Sequence, residues 1–196
     1  MKKENGEIVF IYDFDEDGNK IETVICHPEL DIDLKDKSEV CWKQYSGKIV
    51  TKNGIEITAY KLSKLPHAIK LDNEWKRNLT PETYSTEQKE YVEKNDFRSN
   101  CLGDVLADNN IWLKAGREKD IFKVILENDG YTCVDKDEIV PNTIALFKKE
   151  NSYKHAAKTN DGIIWICKSG INKEEKCTIE VEAKKWGVVE YYKKLD

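Results

Sequence analysis

Apolar and polar residues alternate in short runs over residues 8–65. Glu7-Ile-Val-Phe-Ile-Tyr12 is one run. Lys20-Ile-Glu-Thr-Val-Ile-Cys26 returns after the turn-prone Asp15-Glu-Asp-Gly18-Asn19. Period-two alternation broken by Asp-Gly or Asn-Gly predicts antiparallel hairpins, because these dipeptides accept the positive φ of a tight turn. A second hairpin is expected where Gly47–Thr51 and Ile55–Tyr60 flank Lys52-Asn53-Gly54. Residues 1–65 therefore read as a small β-rich module.

The pattern breaks over 66–96, where Pro66, Asp72-Asn73 and Pro81 interrupt it. One short helix is expected there, capped by Ser85 with Gln88. The stretch reads as a connector or an arm. Residues 97–196 are organised differently. Apolar positions 102, 105 and 106, and again 121, 122, 125 and 126, have helical spacing. Gly130 suits the end of the second helix. Strands are expected at Tyr131–Val134, Thr143–Phe147, His155–Thr159, Ile163–Lys168 and Val188–Tyr192. Helices followed by a strand meander make an α+β pattern.

Composition narrows the function classes. Aromatic residues are 10% of the 196 positions, unlike a disordered chain. The net charge of −5 has its signs interspersed, without the one-sided basic excess of a nucleic-acid binder. No apolar run is long enough to span a bilayer, and no apolar segment of a cleaved leader follows Met1-Lys2-Lys3. The protein is expected inside the cell, or exported without a cleaved leader. The six cysteines contain no Cys-x-x-Cys pair, so a zinc ribbon is not expected, and reduced thiols are preferred. Asp13-x-Asp15-x-Asp17-Gly18 imitates the start of a calcium loop, but its twelfth place is Val24, so it reads as a turn. No cofactor or metal is expected.

One constellation carries chemistry. Cys101 opens a predicted helix with Asn100 as N-cap. Helix-start amides and their positive partial charge favour a thiolate, and the amides near Leu102 could hold an oxyanion. His155 begins a predicted strand. If Asn160-Asp161-Gly162 is a three-residue loop, Thr159 pairs with Ile163 and His155 lies opposite Cys167, on the same face. A two-residue loop puts Lys168 there instead. A thiol orients imidazole poorly, so Ser169, two places along that face, is the better hydrogen-bonding candidate, with Asn142 and Lys168 as further polar neighbours. Nucleophile, base and orienter then follow the logic of an activated thiol.

Residues 97–194 resemble an uncharacterised bacterial domain family of the NlpC-type papain-like superfamily. The shared features are Phe97-Arg-Ser-Asn100-Cys101, Trp112, Gly130-Tyr131, Thr143-Ile-Ala-Leu-Phe147, His155-Ala-Ala157, Asp161-Gly162, Trp165, Lys168, Gly170 and Trp186-Gly187-Val-Val. The resemblance implies a papain-like domain over 97–196, with an antiparallel sheet and an N-terminal Cys helix. It makes Cys101 the nucleophile and His155 the base of acyl transfer. This chain has Cys167 where relatives tend to have Ser, and Cys177 where a polar residue, often His, tends to lie. The third catalytic residue is left open.

The expected function is a cysteine-dependent amidase or peptidase acting on a peptide, isopeptide or amide. The alternatives are a thiol acyltransferase and a non-catalytic interaction module on a decayed papain-like fold. A protein partner could bind through the N-terminal region.

Overall fold

The computed structural model describes residues 1–26, 39–63, 68–71, 74–77, 98–107, 111–113, 121–169 and 173–195, with positions 82, 86, 89, 90, 93 and 96. Of the helix expected at 85–94, only Thr86, Lys89, Glu90 and Glu93 are described, and these are helical. The fold is mixed α+β, and two six-stranded sheets dominate the described residues.

The first sheet is organised on one long strand, β5 (Glu39–Val50). A small ribbon of β1 (Lys3–Glu4) and β2 (Glu7–Ile8) precedes it. β3 (Phe10–Tyr12) and β4 (Glu22–Cys26) both pair antiparallel with β5, at Ile49–Gly47 and Tyr45–Cys41 respectively. They therefore run end to end along one edge, and the hairpin expected between them is confined to its tip, where Phe14 bridges Lys20, Asp15 N donates to Asn19 O (2.9 Å) and Ile21 N donates to Asp13 O (2.9 Å). Loop 13–21 leaves this edge and returns to the same residue: Ser46 O accepts from Asp13 N (3.0 Å), and Ser46 N donates to Ile21 O (3.1 Å). Within the loop the Asp15 carboxylate accepts from the amides of Asp17 and Asn19, at 3.0 and 2.8 Å. That is an Asx-type turn.

The other edge of β5 holds β6 (Glu56–Leu62), through the expected Asn53-Gly54 turn, and β7 (Ala68–Leu71), which pairs with β8 (Glu74–Arg77). The stretch expected as a connector thus begins with two strands. At four residues each, Ala-Ile-Lys-Leu and Glu-Trp-Lys-Arg are too short and too irregular to show a strand period.

The second sheet has the order β13-β12-β11-β10-β14-β9. Its strands are β9 (Tyr131–Val134), β10 (Ile144–Lys149), β11 (Ser152–Thr159), β12 (Trp165–Cys167), β13 (Glu175–Cys177) and β14 (Val188–Lys194). The helices are α1 (Cys101–Leu106), α2 (Ile121–Asn128) and α3 (Ile179–Trp186). α3 and β13 were not anticipated. Thr178 before α3, Gly187 after it, and Ile179, Ala183 and Trp186 on one stripe were the available signals.

Alternation along this sheet divides the core. Ile144, Leu146, Ala156 and Tyr192 face one way, with α1 and α2. Ala145, Phe147, Ala157 and Tyr191 face the other, with α3. The first cluster also takes in Ile49, Ile57 and Ala59 of the N-terminal sheet, so that sheet and the α1 face of the second sheet share one core. Tyr60 and Trp112 exchange both backbone hydrogen bonds, at 2.9 and 2.8 Å, and stitch β6 to the segment after α1. None of the described helices is long and apolar enough to cross a membrane.

The closeness of α1 to residues 111–113 gives a test. A Cβ on Gly103 would sit 1.6 Å from the Ile111 carbonyl oxygen, whereas at Gly130 (φ +86°) a Cβ meets open space. Gly103→Ala should cost about 3 kcal/mol by overpacking. Gly130→Ala should cost only about 1 kcal/mol, from its backbone angle. Urea unfolding that ranks the two equal, or reverses them, contradicts this packing.

Candidate functional site

Cys101 takes its place through the bonds of its neighbour. The Asn100 side-chain oxygen accepts from Gly103 N (2.9 Å) and Leu113 N (3.2 Å), while its amide donates to Leu113 O (2.7 Å). Asn100 is thus both the N-cap of α1 and its tie to the following segment. The Cys101 thiol is reduced and only 7% exposed, with its sulfur 3.9 Å from the Lys154 carbonyl oxygen. Leu102, whose amide was the oxyanion candidate, is buried in the same cluster.

His155 is the residue after Lys154, yet its ring projects through to the opposite face. It pairs with Phe147 in register. The imidazole stacks on Trp186 of α3 at 5.2 Å and 19° and lies 5.5 Å from the Phe147 ring. Cys101 belongs to the α1 side of the sheet and His155 to the α3 side. The structure does not bring the expected nucleophile and base into contact.

It does bring His155 to Cys167, by a different register from the one expected. Ala157, not His155, pairs with Cys167, and Thr159 pairs with Trp165. The loop is five residues long because Asp161 organises it. Its carboxylate accepts from Ile163 N (2.9 Å), Ile164 N (2.8 Å) and the Thr159 hydroxyl (3.1 Å). Those amides are withdrawn from the strand, and Ile163 and Ile164 are exposed. Cys167 still shares the face of His155, one pair along. Ser169 is half-buried beyond the end of β12 and makes no ladder pair with His155. Asn142, another polar candidate, has φ +65° and donates its backbone N–H to Thr159 O.

The group nearest the imidazole was not anticipated. Glu182 of α3 places Oε2 3.4 Å from His155 Nε2 and also accepts from Trp186 Nε1 at 2.9 Å. Donor atoms of His155, Cys167 and Glu182 all lie within 4.8 Å of one another. His155 is 1% exposed and its Nε2 has no hydrogen-bond partner. Burial, reinforced by the charge of Lys185, pushes the imidazole down to about 4, so it is neutral near pH 7. Burial and the adjoining Cys177 thiol raise the Cys167 thiol far above the ordinary cysteine range; the Cys177 hydrogen bond is the larger cause.

A second polar cluster lies on the α1 side. Lys168, wholly buried, reaches Ser99 Oγ and Asp96 Oδ2, each at 3.2 Å. Burial alone would raise the Asp96 carboxyl. The Arg98 guanidinium (2.7 and 2.9 Å) and Lys168 instead hold it down to about 2. Asp104 of α1 lies 3.3 Å from Lys158, whose ammonium is held closer by Glu174 at 2.6 Å. Burial raises the Asp104 carboxyl to about 6 against the pull of Lys158, and the adjoining Glu174 carboxylate adds to the rise by hydrogen bonding and by its charge.

The preference for reduced cysteines fails at Cys41, which is disulfide-bonded and stands directly opposite Cys26 in the β4–β5 register. Directly opposite positions on neighbouring strands bring Cβ atoms to about bridging distance. Cys101, Cys133, Cys167 and Cys177 carry no disulfide. Compared with models of known protein families, with curated proteins and with solved structures, the chain matches none.

The raised Asp104 carboxyl yields a signed prediction. Its folded-state value lies above the ordinary 3.8. Protonation therefore contributes stability that is full below that value and lost as pH rises through about 6. Asp104→Asn removes this dependence. Between about pH 4 and about pH 7 the wild type should lose roughly 2 kcal/mol relative to the variant. Urea titrations of both proteins that stay parallel across this window would show that Asp104 does not carry the effect.

Proposed function

We propose that this chain is a non-catalytic interaction module on a papain-like scaffold. One observation carries the reading: the sheet stands between the Cys101 thiol and the His155 ring. Acyl transfer needs the base within hydrogen-bond reach of the thiol. An imidazole held at about 4 by burial is also a weak base near neutrality. The papain-like part of the reading is supported by a helix that opens with cysteine and packs on an antiparallel meander. The partner-binding part is supported by the N-terminal sheet, where exposed Phe14 and Ile21 line a cleft with Tyr45 at the root of loop 13–21.

A second reading, a cysteine amidase, peptidase or thiol acyltransferase, is favoured by the placement of Cys101 at the start of a side-chain-capped helix. In that reading Cys101 attacks a carbonyl, and His155 would have to reach it from the other face.

Thiol reactivity separates the two. In the native protein a soft electrophile should modify exposed Cys133 before buried Cys101, and His155→Ala should leave the Cys101 rate unchanged. Peptide mapping of a time course gives both rates. Preferential labelling of Cys101 that slows in His155→Ala would overturn the interaction-module reading in favour of the hydrolase.

A further inference from the structure

The α3 side of the sheet gathers donor atoms around His155 that neither reading calls for. His155 on β11, Cys167 on β12 and Glu182 on α3 converge with their donor atoms within 4.8 Å. Cys177 on β13 packs against the same cluster and pairs with Trp165, two places before Cys167, so it stands on the same face beside them. The His155 Nε2 atom points into this group, buried and unpartnered. An unsatisfied buried nitrogen costs free energy unless something bonds it.

We propose that His155, Cys167, Cys177 and Glu182 form a structural zinc site that pins β11, β12 and β13 to α3. The donor set is that of tetrahedral zinc: two sulfurs, one imidazole nitrogen and one carboxylate oxygen. Bonds of about 2.0 to 2.3 Å place neighbouring ligand atoms of such a site roughly 3.3–3.8 Å apart. The His155 Nε2 to Glu182 Oε2 separation of 3.4 Å falls in that range. The Cys167 sulfur lies within 4.8 Å of both and needs to close by about 1 Å, and Cys177 swings in from β13 as the fourth ligand. Calcium and magnesium prefer all-oxygen shells, so thiolates and imidazole select against them.

The surroundings suit ligand atoms that must be held still. The Trp186 indole N–H fixes the Glu182 carboxylate while its ring stacks on the imidazole. Outer groups that orient ligands in this way are a regular part of metal sites. Two thiolates and a carboxylate exceed the charge of zinc by one. Lys185 supplies opposing charge near His155, and Glu175 adds to the negative side near the thiols. The ligands come from four successive elements at the unequal positions 155, 167, 177 and 182, so no local motif announces them.

The test uses the full chain, reduced, stripped with a chelator and reloaded with zinc or with cobalt(II). Elemental analysis should find about one zinc per chain after desalting. The cobalt form should show intense tetrahedral ligand-field bands and a sulfur-to-cobalt charge-transfer band. His155→Gln and Cys167→Ser should each weaken zinc binding by at least about tenfold, and zinc should raise the melting temperature of the wild type but not of these variants. Cys101→Ser should keep full zinc uptake, which places the metal on the α3 side. The cobalt spectrum of the wild type needs no variant, so a misfolded substitution leaves the proposal open to refutation. It is overturned if the reduced, folded wild type takes up no zinc, if its cobalt spectrum lacks thiolate character, or if folded His155→Gln binds as the wild type does.

Discussion

The placement of every group of chemical interest depends on the alternation of side chains along β10 and β11. Neighbouring residues in a strand point to opposite faces. Both faces of this central pair are buried, so neither can slip by one residue without exposing one core and charging the other. Leu146 and Ala156 are committed to the α1 side, and Phe147 and Ala157 to the α3 side. His155 inherits the side of Phe147 and Ala157. Its distance from Cys101 follows from the register of the whole sheet, and a change of rotamer cannot carry the ring through the wall.

The two faces satisfy their buried polar groups differently. On the α1 side, Lys168 is matched by Asp96 and Ser99, Lys158 by Glu174 and Asp104, and Asn100 uses both ends of its amide. α1 has six residues, too short to hold itself by backbone bonds alone. Its position comes from Asn100 and from the close approach that Gly103 permits. The cysteine at its start is part of this fastening, which accounts for a buried sulfur against the strand backbone.

Much of this fold is legible in the sequence because its signals are local. The helices at 101 and 121 follow from apolar spacing, and the Asn53-Gly54 turn from residues that accept positive φ. What misled was register. Asn160-Asp161-Gly162 reads as a tight loop, but the Asp161 side chain captures the amides of Ile163 and Ile164 and lengthens it. The apolar pair then looks like strand and is not. In loop 13–21 the turn residues are as expected, yet both flanking strands attach to β5, a choice made by a distant segment. Residues such as Glu182 were invisible for another reason: α3 carries charged residues through most of its length, and only its Ile179, Ala183 and Trp186 stripe marks the buried face. In the candidate site, Cys101 at a helix start and His155 on a strand were readable, while the face each occupies was not.

A buried polar group with partners explains itself as scaffold, and one without partners does not. Lys168 is as deeply buried as any polar side chain described, yet its neighbours compensate its charge. His155 is equally buried beside the Glu182 carboxylate and the Cys167 thiol, and its Nε2 is left over. A sheet that needed only to pack could fill this place with an apolar side chain at lower cost, as it does at Ala157 and Phe147 nearby. The contrast across one sheet separates the functions of its faces. Around Cys101 the polar side chains are matched by their neighbours, and the side behind it holds the buried His155 Nε2 that no partner satisfies.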